Sequence, residues 1–218
     1  MQDSDLTLRQ KQALEALFIF KQATADLLLR YLRLSPNSLR HLQKQLSLLH
    51  PPEEKDRYVE FIIPPKPRES RFGSSPYVYT LGRRGHRYLK KQGFPVGRYR
   101  TDGVQEEIPF RHRLAVNEFL LNALLLTEDH PQDIQLLTHL HEQYWNGNPL
   151  KVQLPEEEKP VGLSPDLLLA FETYSPLNQH WLPVEINLSR EWEKDWEKKS
   201  SRTATACRPT SSGWEQIS

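Results

Sequence analysis

Asp166 and Glu185 are the residues of this chain whose type and placement could do chemistry. Each borders a short apolar run, in "LSPDLLLAF" (163–171) and "WLPVEINLS" (181–189). Two carboxylates brought together by neighbouring strands offer the oxygen ligands that a hard cation such as Mg²⁺ takes. A cation held that way can activate water against a phosphodiester, which would make the pair catalytic. Glu118, in the stretch "HRLAVNEFLL", is a third candidate metal ligand. The competing reading makes the acids ordinary strand-end residues. His139 and His141 also have the spacing of some metal sites, both on one strand face. With no further His or Cys nearby, they read as strand residues.

The elements that must position these side chains follow from periodicity. As a strand, "PDLLLAFETY" puts Asp166, Leu168, Ala170 and Glu172 on one face. As a strand, "WLPVEINLS" puts Trp181, Pro183, Glu185 and Asn187 on one face, and "SPLNQH" between the two reads as a turn. A hairpin then lets an acid at the start of one strand approach an acid late in the next. Upstream, "IPFRHRLAVNEFLLNALLLTED" reads as a long helix apolar around most of its circumference, which predicts burial. "IQLLTHLHEQYW" reads as a strand, and "NGNPLKVQLPEEEKPVG" as turn, short strand and exposed acidic loop.

A net charge of +1 conceals an asymmetry. Residues 1–103 carry 19 Lys and Arg against 10 Asp and Glu, whereas residues 104–218 carry 10 against 18. A basic module points to a polyanionic partner. Helices are read over Leu6–Ile19, with Leu8, Ala13, Leu14, Leu17 and Phe18 apolar, and over about Ala23–Arg33. A third starts at "SPNSLRHLQKQLSLLH", where Ser35 suits the cap and Pro36 the first helical position. Leu39, Leu42, Leu46 and Leu49 mark its buried stripe, and the remaining face shows Asn37, Ser38, Arg40, His41, Lys44 and Gln45 without an acid. Those residue types suit base edges and phosphates in the major groove. "RYVEFII" (57–63) and "PYVYTL" (76–81) read as strands. The connection between them carries Lys66, Arg68 and Arg71, and "GRRGHRYLKKQG" adds a short helix with Arg83, Arg84, Arg87, Lys90 and Lys91. Three helices followed by a basic-tipped hairpin is the order of a winged helix-turn-helix, whose third helix reads duplex DNA.

The pieces "RQKQALEAL", "YTLGRRG", "HRLAVNEFLL", "SPDLLLAF" and "PVEINLSREWEKDWEKK" come in a telling order. The last three resemble the PD-(D/E)xK nuclease core. From about residue 6 to about residue 200 the layout resembles the replication-relaxation family of plasmid and mobile-element proteins. That resemblance implies a winged-helix N-terminus joined to a degenerate nuclease-like domain, and a role in replication or in transcription from an origin region. One departure bears on catalysis. The lysine expected near the metal-bound water is Asn187 here, and an amide cannot stabilise charge as an ammonium does. Lys194 and Lys198 lie in "SREWEKDWEKKSS", whose alternating charges read as a solvated helix face.

The expected organisation is α+β. It comprises a winged helix over 1–93, a Pro- and Gly-containing linker over 94–107, a smaller nuclease-like α/β domain over 108–200 and a disordered tail over 201–218. The tail lacks apolar periodicity where the resemblance implies further helix and strand, so the second domain reads as incomplete. No apolar run reaches the ~20 residues of a membrane span, the N-terminus lacks a signal-peptide pattern, and Cys207 is the one cysteine. A cytoplasmic protein bound to double-stranded DNA, without a cofactor, is the expectation, and a homodimer is compatible with it. Two alternatives stand beside it: a Mg²⁺-dependent nuclease using Asp166 and Glu185, or a module whose basic half docks an acidic protein.

Overall fold

The computed structural model describes residues 5–62, 77–96, 107–141, 150–152 and 159–186, with backbone alone at 107–109, 150 and 152. The chain is α+β and divides into two compact units, Met1–Leu121 and Asn122–Ser218. No described helix is long and apolar enough to cross a membrane.

The first unit opens with α1 (Leu8–Phe20). Thr7 and Gln10 form a reciprocal capping box, in which the Thr7 hydroxyl accepts from the Gln10 amide and the Gln10 side chain accepts from the Thr7 amide. This satisfies two amides that the helix itself leaves without partners. Its buried stripe is Ala13, Leu14, Ala16, Leu17 and Phe20. Leu8, expected on that stripe, is 74% exposed, because it sits in the first turn ahead of the packed face. The next residues correct the reading of a helix from Ala23. Gln22–Thr24 form a short strand, β1, and Thr24 then caps α2 (Ala25–Tyr31) by accepting from the Leu27 amide.

Ser35 starts the third helical segment, but not as an N-cap of an α-helix. Pro36–Ser38 make a 3-10 turn, and the Ser35 hydroxyl meets that of Ser38 instead of a backbone amide. The α-helix proper, α3, is Leu39–Leu48. The strands β2 (Val59–Ile62) and β3 (Val78–Leu81) follow, then α4 (Arg83–Lys91). The three strands form one antiparallel sheet in the order β1-β3-β2, with Ala23 and Phe61 both opposite Tyr79. The Thr80 hydroxyl donates to the Lys21 carbonyl at 2.8 Å, fixing β1 to β3 across the sheet.

The "GRRG" string is a packing device. The Gly82 amide donates to the Tyr58 carbonyl and the Arg84 amide to the Arg57 carbonyl, both at 2.9 Å. A Cβ on Gly82 would lie 2.5 Å from the Arg57 oxygen, and one on Gly85 2.1 Å from the Tyr58 oxygen. Backbone cannot swing aside as a flexible side chain can. Both positions need glycine for the first turn of α4 to rest on residues 57 and 58.

Helix α5 (Glu107–Asp129) runs from the first unit into the second. Its first part is fastened to the first unit. Asn117 donates to the buried Gln22 carbonyl at 2.6 Å, and Glu118 pairs with Arg30 at 2.6 Å. Composition alone put the change of module between 94 and 107, yet the first compact unit takes in this part of α5 as well. The helix is also not buried all round. Val116, Leu120 and Leu121 are buried, whereas Phe119 and Leu126 are exposed.

The second unit is built on the antiparallel sheet β4-β7-β8 and the pair β5-β6. The strands are β4 (Ile134–His141), β5 (Leu150–Val152), β6 (Val161–Leu163), β7 (Leu167–Tyr174) and β8 (Leu177–Val184). Leu167 to Phe171 are buried without a break, so the central strand is covered on both faces. The turn between β7 and β8 is only Ser175–Pro176, and Leu177–His180, read as turn residues, lie in β8. β6, which begins at the end of the stretch read as an acidic loop, pairs with the expected short strand β5.

Candidate nucleic-acid interface

Helix α3 owes its placement to Leu42, Leu46 and Leu49, each fully buried. The apolar spacing of three and four turns one side of the helix inward and leaves the opposite side to solvent. On that outer side Asn37, Arg40, His41 and Lys44 are exposed, and Ser38 is half-buried. Gln43, also exposed, extends the same polar face and is one residue that the sequence reading omitted. Leu48, 57% exposed, is its apolar member. The segment from Asn37 to Leu48 holds no acid, so its field toward a ligand is positive. Arg40 and Lys44 stand one turn apart.

The other expected contacts divide. Arg83 is exposed on α4. Arg84 has its guanidinium over the Tyr58 ring, 4.6 Å from the centroid, and 3.8 Å from the Asp56 carboxylate. Its side chain is 23% exposed, so it bridges the packing of α4 to residues 56–58 as much as it faces solvent. Lys66, Arg68 and Arg71 lie outside the described residues.

The candidate acids come out differently. The register of β7 with β8 ends at Leu167 opposite Val184. One step further puts Asp166 opposite Glu185, as the hairpin reading expects. Asp166 is buried, and its Oδ2 accepts the Ile186 amide at 2.7 Å. The carboxylate thereby continues the ladder beyond the last main-chain pair, using a side-chain oxygen as the acceptor. Such a bond satisfies a backbone donor at the end of a strand, which is a structural use of the residue. Glu118 belongs to the first unit and is paired there with Arg30. Asn187, Lys194 and Lys198 lie outside the described residues.

His139 and His141 face each other edge-on at 6.2 Å between ring centroids. They stand opposite Leu169 and Leu167. Among the described residues, no three His, Cys, Asp or Glu side chains gather as a metal site.

The geometry is thus an exposed cationic helix on a leucine-anchored scaffold in one unit, and an acid, Asp166, that accepts a backbone amide in the other. No curated protein and no solved structure matches the chain. The replication-relaxation family matches residues 14–202, and the chain belongs to that family.

Proposed function

We propose that the first unit is a winged helix that binds duplex DNA in a replication-related role, with α3 in the major groove. The observation that carries this reading is the outer face of α3 and of the turn that leads into it: Asn37, Arg40, His41, Gln43 and Lys44 exposed, with the helix locked from behind by three buried leucines. A base-reading element needs that combination, since side chains reach base edges reproducibly only from a rigid support. The sheet order supports the same reading. β1, set between α1 and α2, pairs with β3, and Lys66, Arg68 and Arg71 fall in the sequence between β2 and β3, where a winged helix has its wing. Sequence-blind phosphate contacts belong to that connection. Family membership supports replication as the setting, and a plasmid or other mobile element is the replicon this reading proposes.

The nuclease reading has less support. It asks Asp166 to hold a cation with the carboxylate that accepts the Ile186 amide. It also asks Glu118 to join Asp166 while Arg30 holds it 2.6 Å away.

The test is selection of bound duplexes from a randomised pool with the full chain, followed by fluorescence anisotropy on the selected site. Arg40→Ala with Lys44→Ala should weaken binding to that site at least tenfold, with an unchanged circular dichroism spectrum, since each base contact is worth ~1–3 kcal/mol. Equal affinity in a folded double variant would remove α3 as the reading helix.

A further inference from the structure

We propose that a second, sequence-blind phosphate site lies on α4, in the groove lined by Asp56, Arg84, Arg87 and Lys91. Its ligand is the phosphodiester backbone of nucleic acid. The groove has a volume of about 360 Å³, enough for a phosphate group with its flanking ester oxygens.

The site follows from helical spacing. Residues 84, 87 and 91 recur at intervals of three and four, so they form one stripe of α4. Gly85, Tyr88 and Leu89 form the buried side of the same helix, which fixes where the stripe points. It lies against the 3-10 turn Glu54–Asp56. Arg84 and Arg87 are braced by the protein. Arg84 lies over the Tyr58 ring and beside Asp56. Arg87 donates one Nη2 hydrogen to the Lys55 carbonyl at 3.0 Å. A guanidinium carries five N–H donors, so this brace orients the group and leaves donors directed at a ligand. Arg87 and Lys91 are exposed. Three cations and one carboxylate leave the groove with a formal charge of +2, matched to a backbone phosphate and its neighbour. Asp56 works against the ligand, which gives the site a test of opposite sign.

This inference rests on the DNA-binding reading for its ligand, but it does not depend on α3 being the reading helix. The experiment measures log affinity against log salt by anisotropy, on duplexes of unrelated sequence, for the full chain and three variants. Arg87→Gln with Lys91→Gln should lower the slope by about 2. Arg9→Gln with Lys11→Gln removes the same charge from α1, outside the groove, and should leave the slope unchanged. Asp56→Asn should tighten binding several-fold on every duplex. Inorganic pyrophosphate, titrated into the full chain with melting temperature as the readout, forms a separate arm. An unchanged slope in the groove variant overturns the proposal. If sequence preference still depends on Arg40 and Lys44 in that case, the reading by α3 stands while the groove falls. Pyrophosphate stabilisation that depends on Arg87 and Lys91, with no change in the DNA slope, marks a site for free phosphate and likewise overturns the backbone assignment. Equal slopes in the groove and α1 variants would show a diffuse charge effect and overturn it too.

Discussion

The two units use charged residues in opposite ways. In the first, cations on α3 stand exposed on a helix whose stability comes from Leu42, Leu46 and Leu49 behind it. In the second, Asp166 is buried, and its oxygen completes the hydrogen bonding of a strand end. Charges that a fold does not need for itself are available to a ligand, while charges that it uses for its own backbone are costly to divert. That difference is why the proposed function puts recognition in the first unit, while the best-placed acid of the second serves a strand end.

The comparison can be broken most severely at Gly85, where the scaffold of the first unit has no slack. Gly85→Ala brings a methyl carbon to 2.1 Å from the Tyr58 oxygen. Relief requires moving α4 off the backbone of residues 57 and 58, at a cost of about 3 kcal/mol, near the upper end for overpacking. Chemical denaturation should show the loss, and DNA binding should fall with it. A variant as stable as the parent would mean that α4 does not rest on that backbone.

Asp166→Ala sharpens the contrast from the other side. It leaves the half-buried Ile186 amide without its acceptor, at about 1 kcal/mol. Thermal unfolding of the full chain should report that loss, and anisotropy should report unchanged DNA affinity. Supercoiled plasmid incubated with Mg²⁺ or Mn²⁺ should stay intact with the parent protein. Nicking by the parent that disappears in Asp166→Ala would make the acid catalytic.

An effect no larger is expected at Lys21, the residue that ends α1. Its φ of 62° with ψ of −43° is strained for any residue bearing a Cβ. Burial also lowers its ammonium to a pKa of about 8 from the usual 10.5. Above pH 8 the folded chain sheds a proton that the unfolded chain keeps, so stability should rise with pH through that range. Burial raises the Tyr79 hydroxyl above its usual value of 10, and that group opposes the rise once tyrosines ionise. Lys21→Gly should gain about 1 kcal/mol at neutral pH and flatten the rise. Melting temperatures of the two proteins from pH 7 to about 9.5 would check both.

Much of this was legible in the residues because it is local. Leucines spaced by three and four announced α3, and β-rich runs announced β2, β3 and β7. What stayed hidden depends on partners far along the chain. Gln22–Thr24 become a strand only because Thr80, Tyr79 and Val78 stand opposite them. Val161–Leu163 become one only against Leu150–Val152. The fate of the candidate acids was hidden for the same reason. Facing positions for Asp166 and Glu185 follow from the hairpin, but the Ile186 amide as a partner of Asp166, and Arg30 as the partner of Glu118, belong to the tertiary structure. Periodicity also overstated the burial of α5. Phe119 and Leu126 are apolar yet exposed, since the pattern of a helix does not say how many sides of it are covered.

The central claim is that α3 reads the major groove, and methylation interference on the selected duplex tests it most directly. Methyl groups at guanine N7 project into the major groove, while those at adenine N3 project into the minor groove. The account predicts that guanine methylation at discrete positions blocks binding by the parent protein. It also predicts that Arg40→Ala loses sensitivity at one of those positions. Interference confined to adenine N3, or an identical guanine pattern in Arg40→Ala, would contradict it.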